Sequence, residues 1–131
     1  MLELRSVSRS FNGTKVLKEI SFDVAPGRIT GFVGANGSGK TTTMRIILGV
    51  LAAHGGTVHW RGQPITHPVR QRFGYMPEER GLYPKMKVAE QIVYLARLHG
   101  LSLAEAKRNT TALLERLGLS ARADDPVEKL S

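Results

Sequence analysis

An α/β fold follows from three features of this sequence. The first third alternates apolar and polar residues, as half-buried strands do. The last third repeats apolar residues every three or four positions, as helices with one buried face do. Between them a glycine-rich stretch, Gly34-Ala35-Asn36-Gly37-Ser38-Gly39-Lys40-Thr41, joins an apolar run to a helical pattern.

The elements can be taken in order. Leu2-Glu3-Leu4-Arg5 alternates and predicts a strand. Asn12-Gly13 is a strong hairpin-turn dipeptide. Ile20, Phe22 and Val24 repeat with period two and predict the partner strand, which Pro26-Gly27 ends in a turn. Ile29-Thr30-Gly31-Phe32-Val33 reads as a short buried strand leading into the glycine-rich loop. Met44, Ile47, Leu48 and Leu51 then mark one face of a helix, and Gly55-Gly56 ends that unit. Thr57–Trp60 reads as a strand, Arg61–Pro64 as a turn and Arg72–Met76 as a strand, with a polar loop over Glu78–Lys87. Val88, Ile92, Leu95 and His99 predict a helix that Gly100 terminates. Ser102 and Glu105 fit a capping box, opening a helix whose face is Leu103, Ala106, Thr110, Leu113 and Leu117 and which Gly118 closes. Composition becomes more helical after about residue 86, which places a subdomain boundary there, between 1–86 and 87–131.

Composition narrows the function. Hydrophobic residues make up 41% and charged residues 23% of the 131, the profile of a globular chain rather than a disordered tail. Cysteine is absent, which excludes disulfides and thiolate metal sites. No run approaches the ~18–20 apolar residues that cross a bilayer, and Met1–Arg5 lacks the layout of a signal peptide. The expectation is a cytoplasmic protein whose membrane contact goes through a partner. The formal net charge is +8, but the basic residues are scattered and not interleaved with aromatics, so no nucleic acid is expected as a ligand. The four histidines have no metal-ligand spacing, and no nucleophile-elbow pattern occurs.

Gly34–Thr41 matches G-x-x-x-x-G-K-S/T without a gap. Each residue type has a physical reason. The glycines let consecutive backbone N–H groups turn inward toward phosphate oxygens. The following helix adds its N-terminal dipole and free N–H groups. Lys40 supplies an ammonium to the β- and γ-phosphates, and the Thr41 hydroxyl is the expected ligand for Mg²⁺. The pattern points to a nucleoside triphosphate, without saying what its energy is used for.

The narrower run Asn36-Gly37-Ser38-Gly39-Lys40-Thr41-Thr42 resembles the Walker A sequence of ABC-type ATPases. Other stretches line up in the same order. Phe11 precedes Asn12-Gly13, where that family places an aromatic that stacks on adenine; a core aromatic is the other reading of Phe11. Ile20–Val24 with Pro26-Gly27 resembles the strand and turn before the loop. Phe73-Gly74-Tyr75-Met76-Pro77-Glu78 resembles the approach to the Q-loop. Glu79–Pro84 resembles the branch serving drug, sodium or polyketide exporters, and Val127–Ser131 the lead-in to the signature motif. Two roles stay open for Val16, ribose contact or plain core.

The resemblance implies an α/β P-loop NTPase with a RecA-like core, an antiparallel β-subdomain over 1–33 and 56–66, and the start of a helical subdomain. It implies ATP and Mg²⁺ as cofactors, an integral membrane transporter subunit as partner, and a second copy of the domain completing an ATP sandwich. It also implies a place on the inner face of the membrane. Glu78 stands where the family usually has glutamine; a carboxylate there can still reach Mg²⁺ or water, but adds negative charge near the phosphates. Ala35 replaces a common proline, and His54-Gly55 a common turn. Ser131 falls within the signature-like stretch, and the residues that orient water and complete the Mg²⁺ shell in the family do not occur before it. The expectation is the N-terminal part of one ABC ATPase domain, truncated before the Walker B strand, that binds nucleotide weakly without turnover. The rival within the same fold is a soluble ABC ATPase acting on ribosomes or nucleic acid. A P-loop kinase of small molecules and a pure interaction module rank below it.

Overall fold

The structure is a computed structural model that describes residues 1–76 and 81–130. It divides into two compact units, Met1–Phe73 and a second that opens at Gly74. The compositional shift after about residue 86 falls within the second unit, at the start of its first helix.

The first unit is built on a four-stranded antiparallel sheet. Strands β1 (Leu2–Phe11), β2 (Thr14–Val24), β3 (Gly55–Trp60) and β4 (Gln63–Pro64) lie in the order β2-β1-β3-β4. The β1–β2 hairpin turns at Asn12 (φ 48°) and Gly13 (φ 79°), two successive left-handed residues whose twist matches that of the strands. β1 extends well beyond Leu2–Arg5 because its alternation is broken, not ended, at Ser6. Ser6 sits at φ 48° within an irregular register between Leu4 and Val7. The extra residue brings Leu4 and Val7, three apart, to full burial together. The Ser6 N–H freed by the bulge donates to Ser21 Oγ at 2.8 Å. β3 begins earlier than Thr57, since Gly55-Gly56 lies inside the strand rather than ending a unit. Gly56 (φ 81°) faces the bulge so closely that a Cβ there would overlap the Arg5 and Ser6 carbonyls.

Helix α1 (Lys40–Ile47) supplies the other wall of the core. Ile46 and Ile47 bury with Leu4, Val7 and Leu17, and Leu2, Val16, Ile20, Phe22 and Val58 pack around them. The buried face is Thr43, Ile46 and Ile47, one residue away from the predicted face, so Met44 is turned outward. A short helix α2 (His67–Arg70), with Pro68 in its first turn, returns Arg70 Nε to the Ile47 carbonyl at 3.2 Å.

Two predicted strands do not form. Residues 29–33 form no regular element, with Ile29 and Val33 exposed, and Arg72–Met76 has no strand partner either among the described residues. A strand needs a neighbour for its backbone N–H and C=O groups, and among the described residues none pairs with these segments. Phe32 is anchored by its ring against Phe22, with centroids 5.1 Å apart.

The second unit holds helices α3 (Val88–Leu98) and α4 (Leu103–Arg116), followed by short 3-10 turns at Ser120–Arg122 and Val127–Leu130. Backbone carbonyls of Asp125 and Ala123 accept from the N–H groups of Val88 and Ala89, so the start of α3 is capped by the chain that follows α4. Gly100 (φ 93°) ends α3. The Ser102–Glu105 capping box forms in both directions: Ser102 Oγ accepts from Glu105 N–H at 3.3 Å, and Glu105 Oε2 accepts from Ser102 N–H at 3.0 Å. The Ser102 hydroxyl also donates to Glu105 Oε2, and that bond, with the one from the Ser102 N–H, holds the Glu105 carboxyl below its ordinary pKa. Ala106, Thr110 and Leu114 bury, while Leu103, Leu113 and Leu117 stay exposed on α4.

Candidate functional site

The glycine-rich loop leaves β2 through a turn closed by Arg28 N–H on the Ala25 carbonyl. It reaches α1 through Gly37 (φ 80°) and Gly39 (φ 92°), both in the left-handed region that only glycine enters cheaply. Gly39 is also held by contact. A Cβ there would overlap the Leu17 side chain and lie 3.3 Å from the Val16 carbonyl. β2 therefore forms the wall against which the loop turns, and Val16 lies at that wall, packed against the core. At Gly34 a Cβ would meet Ser38 Oγ at 2.6 Å, so the loop's own side chain fills the space that glycine leaves.

Lys40, the first residue of α1, folds its side chain back over the loop. Its ammonium donates to the Gly34 carbonyl at 2.7 Å and the Ala35 carbonyl at 2.8 Å. An ammonium has three donors, so one remains for an anion. The helix end beneath it has no side-chain cap and no acidic residue in its first turn. Its free N–H groups and its dipole leave this end electropositive. Thr43 closes the first turn by donating to the Gly39 carbonyl at 3.0 Å. Asn36, Ser38 and Thr41 are exposed around the loop, and Thr42 is half-buried.

These residues fit a triphosphate chain on the structure's own terms. A loop of left-handed glycines is pinned to a strand, a lysine is reined in by two carbonyls, and a helix N-terminus has no competing carboxylate. Phe11 stands at the hairpin end of β1 with 41% of its surface exposed, and the Arg9 guanidinium lies over its ring, 4.9 Å from the centroid. Sequence reasoning passed over Arg9; its spacing of two from Phe11, which puts both on one side of a strand, was the available signal. Glu78 lies outside the described residues.

Comparison with known proteins decides the family. Residues 17–131 match the family described as ABC transporter. The chain belongs to the ABC transporter ATP-binding family. It is 43% identical over its whole length to the uncharacterized ABC transporter ATP-binding protein YhaQ of Bacillus subtilis, covering 44% of that protein. It is 37% identical to the Nod factor export ATP-binding protein I of Paraburkholderia xenovorans, over 99% of the chain and 44% of the relative. It is 32% identical to the linearmycin resistance ATP-binding protein LnrL of Bacillus subtilis, over the whole chain and 43% of the relative. Among solved structures, one described as the ATP-binding subunit of an ABC transporter superposes with a TM-score of 0.80 at 30% identity, covering all of this chain and 56% of that one. The chain thus spans less than half the length of these curated relatives. An ABC ATP-binding domain is the α/β P-loop NTPase that the sequence predicted, with its antiparallel sheet formed by β1 to β4.

Proposed function

We propose that these residues form the nucleotide-binding front part of an ABC exporter's ATP-binding subunit. The observation that carries the reading is the Lys40 ammonium, drawn over a glycine loop at the uncapped start of α1. In this reading Asn36, Gly37, Ser38, Gly39 and Thr42 surround the phosphates of ATP with N–H and hydroxyl donors. Lys40 neutralises charge on the β- and γ-phosphates, and Thr41 offers its hydroxyl to Mg²⁺. Phe11 carries the adenine ring, Val16 lies toward the ribose, and Glu78 acts on Mg²⁺ or the attacking water. Bound ATP with its Mg²⁺ supplies a γ-phosphoryl group for transfer to water, a reaction helped chiefly by positioning and charge neutralisation. Residues 1–131 alone bind nucleotide weakly and do not turn it over. In the complete subunit, two copies sandwich ATP, and hydrolysis drives an integral membrane partner at the inner face of the membrane.

Among the described residues no helix is long and apolar enough to cross a membrane. An export role is supported by the likeness to the Nod factor export ATP-binding protein. The stretch from residue 78 to Lys87 is the proposed contact with the membrane subunit. Fractionation of the complete subunit, tagged at its N-terminus, tests the transport reading. Sedimentation with membranes and co-purification with an integral membrane protein is the expected result. A soluble protein that instead brings down ribosomes or nucleic acid would replace the exporter by a soluble ATPase.

A further inference from the structure

The arrangement around Arg9 extends the nucleotide reading, on which it rests. Arg9 and Phe11 are two apart on β1 and share a face of the strand. The guanidinium carbon lies 4.9 Å from the Phe11 ring centroid. One guanidinium nitrogen, Nη1, donates to the Ala52 carbonyl at 2.9 Å, in the chain that follows α1. Close by, His54 N–H donates to the Ser8 carbonyl at 2.8 Å and His54 Nδ1 accepts from the Ser10 N–H at 3.4 Å, so the same short chain is tied to β1 at several points. The Arg9 Nε is buried with no hydrogen-bond partner among the described residues. A buried donor left without an acceptor is a cost that folds normally avoid. The side chain is held in that position by its carbonyl anchor at one end and the aromatic ring at the other.

We infer that Arg9 is a positioning residue for the adenine platform. Its guanidinium occupies one face of Phe11 and fixes the ring, leaving the opposite face for a nucleobase. Phe11 is 41% exposed even with Arg9 against it, and without that contact its ring at a hairpin end would be free to change rotamer and therefore costly to order on binding. Because Arg9 is anchored to Ala52, the ring's position is also set by the chain that emerges from the phosphate-loop helix. Base and phosphate recognition are thereby held in one frame. The residue acts on the base alone, so its effect must vanish for a ligand that has phosphates but no base.

Phosphorus NMR titration of the chain with ATP and, separately, inorganic tripolyphosphate reads that difference. Arg9→Gln is expected to weaken ATP about threefold to fivefold, the scale of one exposed cation–π contact, while tripolyphosphate binding stays unchanged. Arg9→Lys, which keeps the cation but not the planar fork, should recover part of the loss. In a Phe11→Ala background, Arg9→Gln should have no further effect on ATP. Equal weakening of both ligands, or an undiminished Arg9 effect without Phe11, overturns the inference, as does unchanged ATP affinity in Arg9→Gln. If the unmodified chain binds neither ligand, the nucleotide reading and this one fall together. If it binds tripolyphosphate in a Lys40-dependent way while Arg9→Gln leaves ATP untouched, only this one falls.

Discussion

Replacing Gly39 by alanine adds two separate costs to the first unit. Alanine must take φ near 92°, a left-handed conformation that costs about 1–2 kcal/mol for a residue with a Cβ. The new methyl must also displace the Leu17 side chain, which is fully buried, and press on the Val16 carbonyl 3.3 Å away. Overpacking of this kind costs about 1–3 kcal/mol. The sum, roughly 2–5 kcal/mol, is a large share of the ~5–15 kcal/mol that holds a domain together. At a mid-range urea m-value of about 2 kcal/mol/M, the midpoint should drop by roughly 1–2.5 M. Circular dichroism of the chain in urea measures it. The two costs separate in a Leu17→Val background, because the overlapping atom is a Leu17 δ-methyl that valine lacks. Leu17→Val alone should cost about 1 kcal/mol. Combined with Gly39→Ala it should cost less than the sum of the two, by about 1 kcal/mol. Strict additivity would show that Gly39 does not press on β2 and would refute the account of how the loop is held.

Two further outcomes follow from the same structure. Leu4→Ala, which empties a fully buried site between sheet and α1, should destabilise the first unit by about 2–5 kcal/mol in the same urea assay; a loss well under 1 kcal/mol would mean that the core does not centre there. Ser102→Ala should cost about 1 kcal/mol and speed amide exchange in the first turn of α4. The Glu105 carboxyl that completes that cap has a lowered pKa, through hydrogen bonds from the Ser102 hydroxyl and N–H. A carboxylate depressed in the folded state stabilises fully above the ordinary value of 4.5, and the contribution is lost as pH falls below it through the folded pKa. Amide exchange in that turn should therefore quicken on acidification in the unmodified chain, and Glu105→Gln should remove the acid-dependent part. An identical acid response in Glu105→Gln would contradict the assignment.

Much of the site and half of the fold were legible in the residues. Asn12-Gly13, the Ser102–Glu105 box and the run from Gly34 to Thr41 each encode local geometry, so the sequence suffices to read them. What failed to show was whatever depends on partners elsewhere in the chain. Ile29–Val33 has a strand's composition, yet composition reports a wish for burial and not the neighbour that would grant it. The β1 bulge shifted alternation at Ser6, and with it the length of the strand, because the compensating groups, Ser21 and Gly56, are distant in sequence. The face of α1 slipped by one residue because the helix starts at Lys40 and ends at Ile47, before the predicted Leu48 and Leu51. Arg9 looked like one more scattered surface cation, and only its carbonyl anchor and the ring beneath it give it a place.

The most direct test of nucleotide binding is a phosphorus NMR titration of ATP with Mg²⁺ against the unmodified chain and Lys40→Ala. Removing the ammonium releases the Gly34 and Ala35 carbonyls and, in the proposed complex, deletes a charged hydrogen bond to phosphate. The account predicts phosphate resonances that shift with the unmodified chain and an affinity about tenfold to hundredfold weaker with Lys40→Ala. Equal affinities in the two proteins, or no interaction with either, would contradict the assignment of the phosphates to this loop.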